Sequence, residues 1–347
     1  MALDRGANVQ AAFLDLSKAY DRVSLAGLLS KLSLTGFSYT ALEWFGNFLQ
    51  QRKQSVHLDG AISESQTPKS GIPQGTVLGP VLFLIFINDL PQSTQNQCSI
   101  FADDTTMHTV DSSLTSGCTS LSADLDTAAT WADRWGMLFS APKSKHLSIG
   151  RKARQSPPVY MEGVPIPQVQ THKHLGLVFN SSLTWNDHIS NIYSSCARMT
   201  GILRRLNGII QPSSMERIYK GVIRARMEYA CAVWSGGPTR CLQRLQDSFA
   251  KRYGLTLPPL NKRFNYHTLV MFYKIHQKLA PSYLCSLVPP LTSSTSGYPF
   301  RKSSYPVPFV RKTATLQSFL PRAIILWNDL PNDVQASKTL STFKSRL

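Results

Sequence analysis

Apolar residues recur along this chain at two spacings, and the spacings lay out its elements. Ala12-Phe13-Leu14-Asp15-Leu16 reads as a buried strand that ends at an acid. Ser24 stands as a cap before Leu25, Leu28, Leu29 and Leu32, which keep helical spacing until Gly36. Tyr39, Leu42, Phe45 and Leu49 space a second helix. Val56-His57-Leu58 and Ala61-Ile62 flank Asp59-Gly60, a pair suited to a tight hairpin turn. GIPQGTVLGP, over 71–80, is a loop punctuated by Gly and Pro that leads into the apolar helix PVLFLIFINDL.

Further on, Cys98-Ser99-Ile100-Phe101-Ala102 and Thr105-Thr106-Met107 read as two strands around an acidic turn, Asp103-Asp104. Leu121, Leu125, Ala128, Ala132 and Trp135 are helical, and 173–179 is strand-like. From Trp185, the positions Ile189, Ile192, Cys196, Met199, Leu203 and Leu206 make a long amphipathic helix ended by Gly208. Ser213 with Glu216 has the form of a capping box for the next helix. Residues 289–308, rich in Pro, Ser and Thr, read as a linker or extended arm. The first part is therefore α+β with an antiparallel sheet, and the second is mostly helical.

Charge adds a division that hydropathy does not show. Of 37 Lys and Arg against 20 Asp and Glu, residues 1–150 hold 10 and 13, and residues 151–347 hold 27 and 7. The second part thus carries a net +20, which points to a polyanionic partner, nucleic acid first. With 42% hydrophobic residues over 347 positions, the chain is neither a disordered tail nor a disulfide-stapled miniprotein. Six Cys without a CxxC pair suit reduced thiols and an intracellular address. No apolar signal stretch opens the sequence. The longest apolar run, Val77–Ile87, is about half of the ~20 residues a membrane span needs, so no membrane partner is expected.

The acids of the first part have a chemistry of their own. Asp15 closes one apolar strand, and Asp103 and Asp104 lie at the end of another, 88 positions away. Gathered together, such carboxylates repel one another unless protons or cations offset the charge. Their hard oxygens suit Mg²⁺, which keeps waters and borrows phosphate oxygens from its substrate. Two such ions activate an attacking hydroxyl and stabilise a leaving phosphate. The plainer alternative is a turn cap at Asp15 and an ordinary exposed turn at Asp103-Asp104.

These runs resemble a known family. AFLDLSKAYDRV resembles the first catalytic motif of the reverse transcriptases of non-LTR retrotransposons, of jockey-like flavour. SGIPQGTVLGPVLFLIFINDLP resembles their second motif and FADDTT their catalytic Asp-Asp motif, in the same order and spacing. The resemblance covers roughly 10–235. It implies a polymerase palm over 1–182, a helical thumb over 183–255 and a basic C-terminal tail over 256–347. It implies Asp15, Asp103 and Asp104 as ligands of two Mg²⁺ ions, with Mn²⁺ able to substitute. Tyr20 matches the aromatic gate that disfavours a ribose 2′-hydroxyl. Gly71, Pro73, Gln74 and Gly75 belong to the nucleotide-binding loop, with Gln74 against the incoming nucleotide or the template base. Arg52 and Lys53 match a basic pair, or are solvated charges. Asp21 is part of the first motif, with a helix cap as its bottom-up role.

Weaker matches follow. Trp135-Gly136 through Lys143-Ser144-Lys145 is similar to the fourth motif, whose lysine protonates the departing pyrophosphate. Where the family usually has Asn this chain reads Phe139-Ser140-Ala141, so Lys143 and Lys145 both remain candidates. His174-Leu175-Gly176 resembles the primer-grip hairpin, with Leu175 and Gly176 at its turn. Arg198, Arg204, Arg205, Lys220, Arg224 and Arg226 would track the phosphates of a template–primer duplex. The implied partners are an RNA template, a DNA primer and dNTP, in the nucleus or cytoplasm. No fingers subdomain precedes the first motif and no endonuclease or zinc knuckle is visible, so a truncated retrotransposon product is expected. The alternative is a remnant that acts only as a basic nucleic-acid-binding protein.

Overall fold

The computed structural model describes residues 2–50, 52–206, 208–291 and 304–347. Contacts gather the chain into two compact units, Ala2–His172 and Lys173–Leu347. In chain order the first unit runs β1 (Asn8–Leu14), α1 (Ala19–Arg22), α2 (Leu25–Leu34), α3 (Tyr39–Gln50), β2 (His57–Leu58), β3 (Ala61–Ile62), α4 (Leu78–Ile87) and α5 (Leu90–Ser93). It continues through β4 (Gln97–Phe101), β5 (Asp104–Asp111), α6 (Leu114–Trp135), β6 (Lys145–Ile149), β7 (Tyr160–Met161) and β8 (Val164–Pro165). Its centre is a four-stranded sheet in the order β4-β5-β1-β6, antiparallel throughout.

Register gives the sheet two unlike faces. Ala12 pairs with Met107 on one side and His146 on the other, and Gln10 pairs with Thr109 and Ser148. Those side chains, with Leu14 and Thr105, are buried in the core on the side of α6, which packs across β1 and β5. The opposite face carries Gln97, Ser99 and Phe101, all exposed, beside Thr106 and Phe13. Period-two alternation thus closes one face throughout, while the other is open over β4 and the start of β5 and closed over β6, where Leu147 and Ile149 are buried beside Ala11. α6 is bounded as its ends require: the Ser113 side chain accepts from the Ser116 amide, and Gly136 takes the left-handed stop. Ser24 caps α2 in the same way, and Gly36 follows with φ 88.

Among the described residues, two charged side chains are buried in this unit, Asp124 and Lys31. Lys31 of α2 donates to the Phe86 carbonyl at 2.6 Å and to Asp89 Oδ1 at 2.7 Å, with its Nζ 3.8 Å from the centre of the Trp135 ring. Burial pushes its amine down from the usual lysine range, and Asp89 opposes that shift. The pair ties α2 to the end of α4.

The unit boundary falls inside β9 (Thr171–His174), which pairs with β10 (Leu177–Asn180). Then come α7 (Asn186–Arg205), α8 (Pro212–Ile218), a π-helical stretch (Tyr219–Arg224), α9 (Ala225–Glu228), α10 (Cys231–Trp234), α11 (Arg240–Tyr253) and α12 (Leu260–His276). Short helices close the chain around Trp327 and Phe343, which pack on Phe272 and Tyr273 of α12. The residues after 255, read from sequence as a separate tail, share the second compact unit with the helices before them.

Four local expectations change. Asp104 begins β5, so the turn is Ala102-Asp103 alone. The strand-like run 173–179 is broken at Leu175-Gly176. α8 starts on Pro212 after Gln211, and no side chain caps it. Of the supposed linker, 292–303 lies outside the described residues, while Tyr305 is buried and packs edge-on against Phe272. All six cysteines are free thiols. Among the described residues, no helix is long and apolar enough to cross a membrane.

Candidate active site

The β1–β5 register decides where the acids stand. Its last pair is Leu14 with Thr105, and one step further the two strands reach Asp15 and Asp104. Leu14 and Thr105 are buried, so alternation turns Asp15 and Asp104 to the open face. Asp103 sits in the adjoining turn, beside Ala102 at φ 54. Asp103 and Asp104 are exposed, and the Asp15 side chain retains 47% of its accessible surface. The two strand ends therefore carry residues, Asp15 and Asp104, that are 89 positions apart in sequence.

The backbone of Asp15 is held by the loop before β6. Its amide donates to Ser144 Oγ at 3.2 Å, and its carbonyl accepts from the Ser140 amide at 2.9 Å. Ser144 Oγ in turn donates to the Ser140 carbonyl at 2.8 Å. Leu16 bridges to Phe139, and the Ser17 amide donates to the Leu138 carbonyl. This arrangement separates the two lysines. Lys143 Nζ lies 4.0 Å from Asp15 Oδ2, whereas Lys145 Nζ donates to the Pro142 carbonyl at 3.2 Å. Ser140, within the Phe139-Ser140-Ala141 run that departs from the family's Asn, serves the strand through its backbone.

The nucleotide-loop candidates dock on the turn around α1. The Gly71 amide donates to the Val23 carbonyl at 2.8 Å, and the Ile72 amide to the Tyr20 carbonyl at 2.9 Å. Gly71 has φ 92, and a Cβ there would stand 3.0 Å from Asp21 Cα and its carbonyl oxygen, so the close approach needs glycine. Asp21 binds both ends of the loop: Ser70 Oγ donates to its carbonyl at 2.8 Å and Gln74 Nε2 to its Oδ1 at 3.0 Å. Arg52 donates to the Gly71 carbonyl at 2.7 Å, so it braces the loop from behind. Thr76 Oγ1 closes the loop on the Pro73 carbonyl, and Gly75 has φ 78. Tyr20 is half-buried and stacks on Phe83, ring centres 4.7 Å apart and 14° from parallel.

In the second unit, Leu175 and Gly176 form the β9–β10 turn with φ 46 and 80. Arg198, Arg204 and Arg205 are exposed on α7. The other three cations have protein partners. Lys220 pairs with Glu216 at 2.5 Å, and Arg226 contacts Ser195 and Met199. Arg224 pairs with Glu228 at 3.5 Å and keeps only 17% of its side-chain surface exposed. Glu228 also takes a two-pronged bond from Arg263, at 2.7 and 2.9 Å, and faces His267 Nε2 at 3.1 Å. Burial alone would raise the Glu228 carboxyl, but the bonds from Arg263 and His267 and the nearby guanidiniums hold it at about 2. Sequence reading missed this cluster because Arg224 and Glu228, and Arg263 and His267, each keep helical spacing but nothing local joins the two pairs.

A family model described as reverse transcriptase (RNA-dependent DNA polymerase) matches residues 3–179, just over half of the chain. The chain belongs to the reverse transcriptase family. Among its reverse transcriptase relatives is the probable RNA-directed DNA polymerase from the X-element transposon of Drosophila melanogaster. The two are 30% identical over 261 residues, which is 71% of this chain and 28% of that protein. The RNA-directed DNA polymerase from the jockey mobile element of the same fly is 29% identical over 69% of this chain and 27% of its own length. The chain therefore spans under a third of the curated relatives it matches. Among solved structures, the apo telomerase of Candida tropicalis gives a TM-score of 0.40 at 12% identity, over 75% of this chain and 45% of that one.

Reverse transcriptases use divalent metal ions. Among the described residues, no three or more His, Cys, Asp or Glu side chains are gathered as a cage for one. The donor set nevertheless suits Mg²⁺. Asp15 and Asp104 offer hard oxygens on an open face, and Mg²⁺ is ordinarily held by one or two carboxylates together with waters and substrate phosphates, not by a complete protein cage.

Proposed function

We propose that this chain carries the polymerase core of a non-LTR retrotransposon enzyme, which extends a DNA primer on an RNA template with dNTPs. The observation that supports the reading is the β1–β5 register, whose last pair is Leu14 with Thr105, so that Asp15 and Asp104 follow at adjoining strand ends with Asp103 in the turn. Asp15, Asp103 and Asp104 would hold two Mg²⁺ ions. When bound, these supply the positive charge that favours ionisation of the primer 3′-hydroxyl and departure of pyrophosphate.

The chain's own residues do the rest by positioning and charge. Ser140 and Ser144 fix the Asp15 backbone, so its carboxylate keeps one height on the sheet. Lys143, 69% exposed and within reach of Asp15, is free to deliver a proton to the leaving pyrophosphate. Asp21 holds the Gln74 amide, and the loop Gly71, Pro73, Gln74 and Gly75 receives the nucleotide. Tyr20, backed by Phe83, closes the space a ribose 2′-hydroxyl would need. Leu175 and Gly176 hold the primer end through backbone groups, and Arg198, Arg204 and Arg205 face the duplex phosphates. Mn²⁺ would substitute for Mg²⁺. The enzyme would work in the nucleus or cytoplasm.

A primer-extension assay on an RNA template tests the reading. Incorporation that needs Mg²⁺ and is lost in Asp103→Ala supports it, and incorporation unchanged by Asp103→Ala refutes it. A second reading, a protein that binds nucleic acid without polymerising, is favoured by the 24 Lys and Arg against 6 Asp and Glu in 173–347. It predicts duplex binding that weakens steeply with salt and needs no Mg²⁺, with no incorporation under any condition.

A further inference from the structure

We propose that Tyr229 is the positioning residue of the β9–β10 turn, holding the Leu175–Gly176 backbone in the shape that receives the 3′-terminal nucleotide of a primer. The inference rests on the primer-grip reading of that turn. Leu175 and Gly176 both have positive φ, 46 and 80, the backbone pattern of a two-residue hairpin turn. Leucine rarely adopts that region, and a two-stranded hairpin has little stability of its own. The turn therefore needs support from outside its own strands.

Tyr229 supplies that support twice. Its hydroxyl donates to the Leu175 carbonyl at 3.0 Å. Its ring occupies the place a side chain at Gly176 would need, with Cε1 only 3.0 Å from where a Cβ would stand. Glycine at 176 thus serves the turn and admits the ring.

Tyr229 is itself held as a rigid peg. Trp234, fully buried, donates from Nε1 to the Tyr229 carbonyl at 2.8 Å. On the other side Glu228 is gripped by Arg263, His267 and Arg224. Ala230 takes a left-handed conformation, φ 49, and turns the chain from α9 into α10. Tyr229 remains 56% exposed although its backbone is fixed on both sides. An ordered backbone under a surface tyrosine whose hydroxyl reaches one turn carbonyl is an arrangement for aiming that turn.

The test compares the full-length wild type with Tyr229→Phe and Tyr229→Ala. Affinity is measured by fluorescence anisotropy for an RNA–DNA hybrid with a recessed primer 3′ end and for a hybrid closed by loops at both ends. The ratio of the two affinities reads recognition of the terminus, and thermal melting is followed alongside. Tyr229→Phe is expected to lower the ratio about three- to tenfold, the loss carried by one hydrogen bond, with an unchanged melting temperature. Tyr229→Ala is expected to abolish the preference. A preference that survives both substitutions overturns the inference alone, as does a loss that only parallels melting and affinity for the closed hybrid. A wild type that binds both hybrids equally overturns the primer-grip reading and this inference with it.

Discussion

The strand-end acids of the first unit and Glu228 of the second stand in opposite settings, and Asp124 of the first unit, buried and held by the Gln95 and Asn96 amides, sides with Glu228. In Ala2–His172, with 14 acidic residues against 13 basic, Asp15, Asp103 and Asp104 lie open at strand ends. The nearest cation to Asp15 with a defined contact is an exposed lysine at 4.0 Å. In Lys173–Leu347, with 6 acidic against 24 basic, Glu228 is half-buried and gripped by two arginines and a histidine. A carboxylate meant for stability is surrounded by fixed donors. One that is to share a metal ion with a substrate would be left with unfilled coordination, because its partners would arrive with the substrate. Abundance of acid therefore says little about role, and the partners say a good deal.

The contrast can be broken by substitution. Asp15→Asn should lower incorporation by about 10²–10³, as removal of a charge-stabilising group at a reacting centre does. Melting should stay the same or rise slightly, because a like charge has gone from an exposed cluster. An unaltered rate would place Asp15 with the turn caps.

Next in size is a pH effect confined to the closed face of the sheet. His146 is fully buried with Nε2 2.9 Å from Gln10 Oε1, and burial pushes its imidazole down to about 4. The unfolded chain takes up this proton near the ordinary value of 6.5 and the folded chain does not, so the contribution is complete above that value. It should fall by about 3 kcal/mol as the pH drops from 6.5 to 4. Denaturant titrations at several pH values would show the slope, and His146→Gln should flatten it. Glu228 acts in a lower window. Its depressed carboxyl contributes fully above its ordinary 4.5 and loses that contribution as the pH falls toward 2.

Lys143→Ala should slow incorporation by about 10²-fold if Lys143 is the proton donor, with Lys145→Ala much milder. Equal effects would remove the distinction that the Asp15 contact draws. The smallest effect is expected from Ser144→Ala, which removes one hydrogen bond to the Asp15 amide. Stability should fall by about 1 kcal/mol in a melting curve, together with a several-fold loss of rate as the carboxylate shifts.

The strand ends at Asp15 and Asp104 were legible in sequence because a short apolar strand ending at Asp states its own geometry. The same holds for α2, where Ser24 and Gly36 mark both ends. Two partners at positions the motifs already covered were not legible. Asp21 looked like a helix cap and proves to bind Ser70 and Gln74, 49 and 53 residues away. Arg52 looked evenly poised between solvent and function, and it braces the Gly71 carbonyl. Neither contact has a local spacing that could announce it. β6 escaped because Lys145-His146-Leu147-Ser148-Ile149 buries its polar residues His146 and Ser148 on one face and its apolar Leu147 and Ile149 on the other. Among the thumb arginines, charge alone could not tell the exposed Arg198 from Arg224, which is committed to Glu228.

The most direct measurement compares Asp104→Asn with Glu228→Gln in one preparation, recording Mg²⁺-dependent incorporation per folded molecule and the melting temperature. The account predicts that Asp104→Asn loses incorporation by about 10²–10³ and keeps its melting temperature. It predicts that Glu228→Gln melts about 4–8 °C lower, from roughly 2 kcal/mol, while retaining most of its incorporation. Asp104→Asn that polymerises like the wild type, or that loses its fold along with its activity, would contradict it.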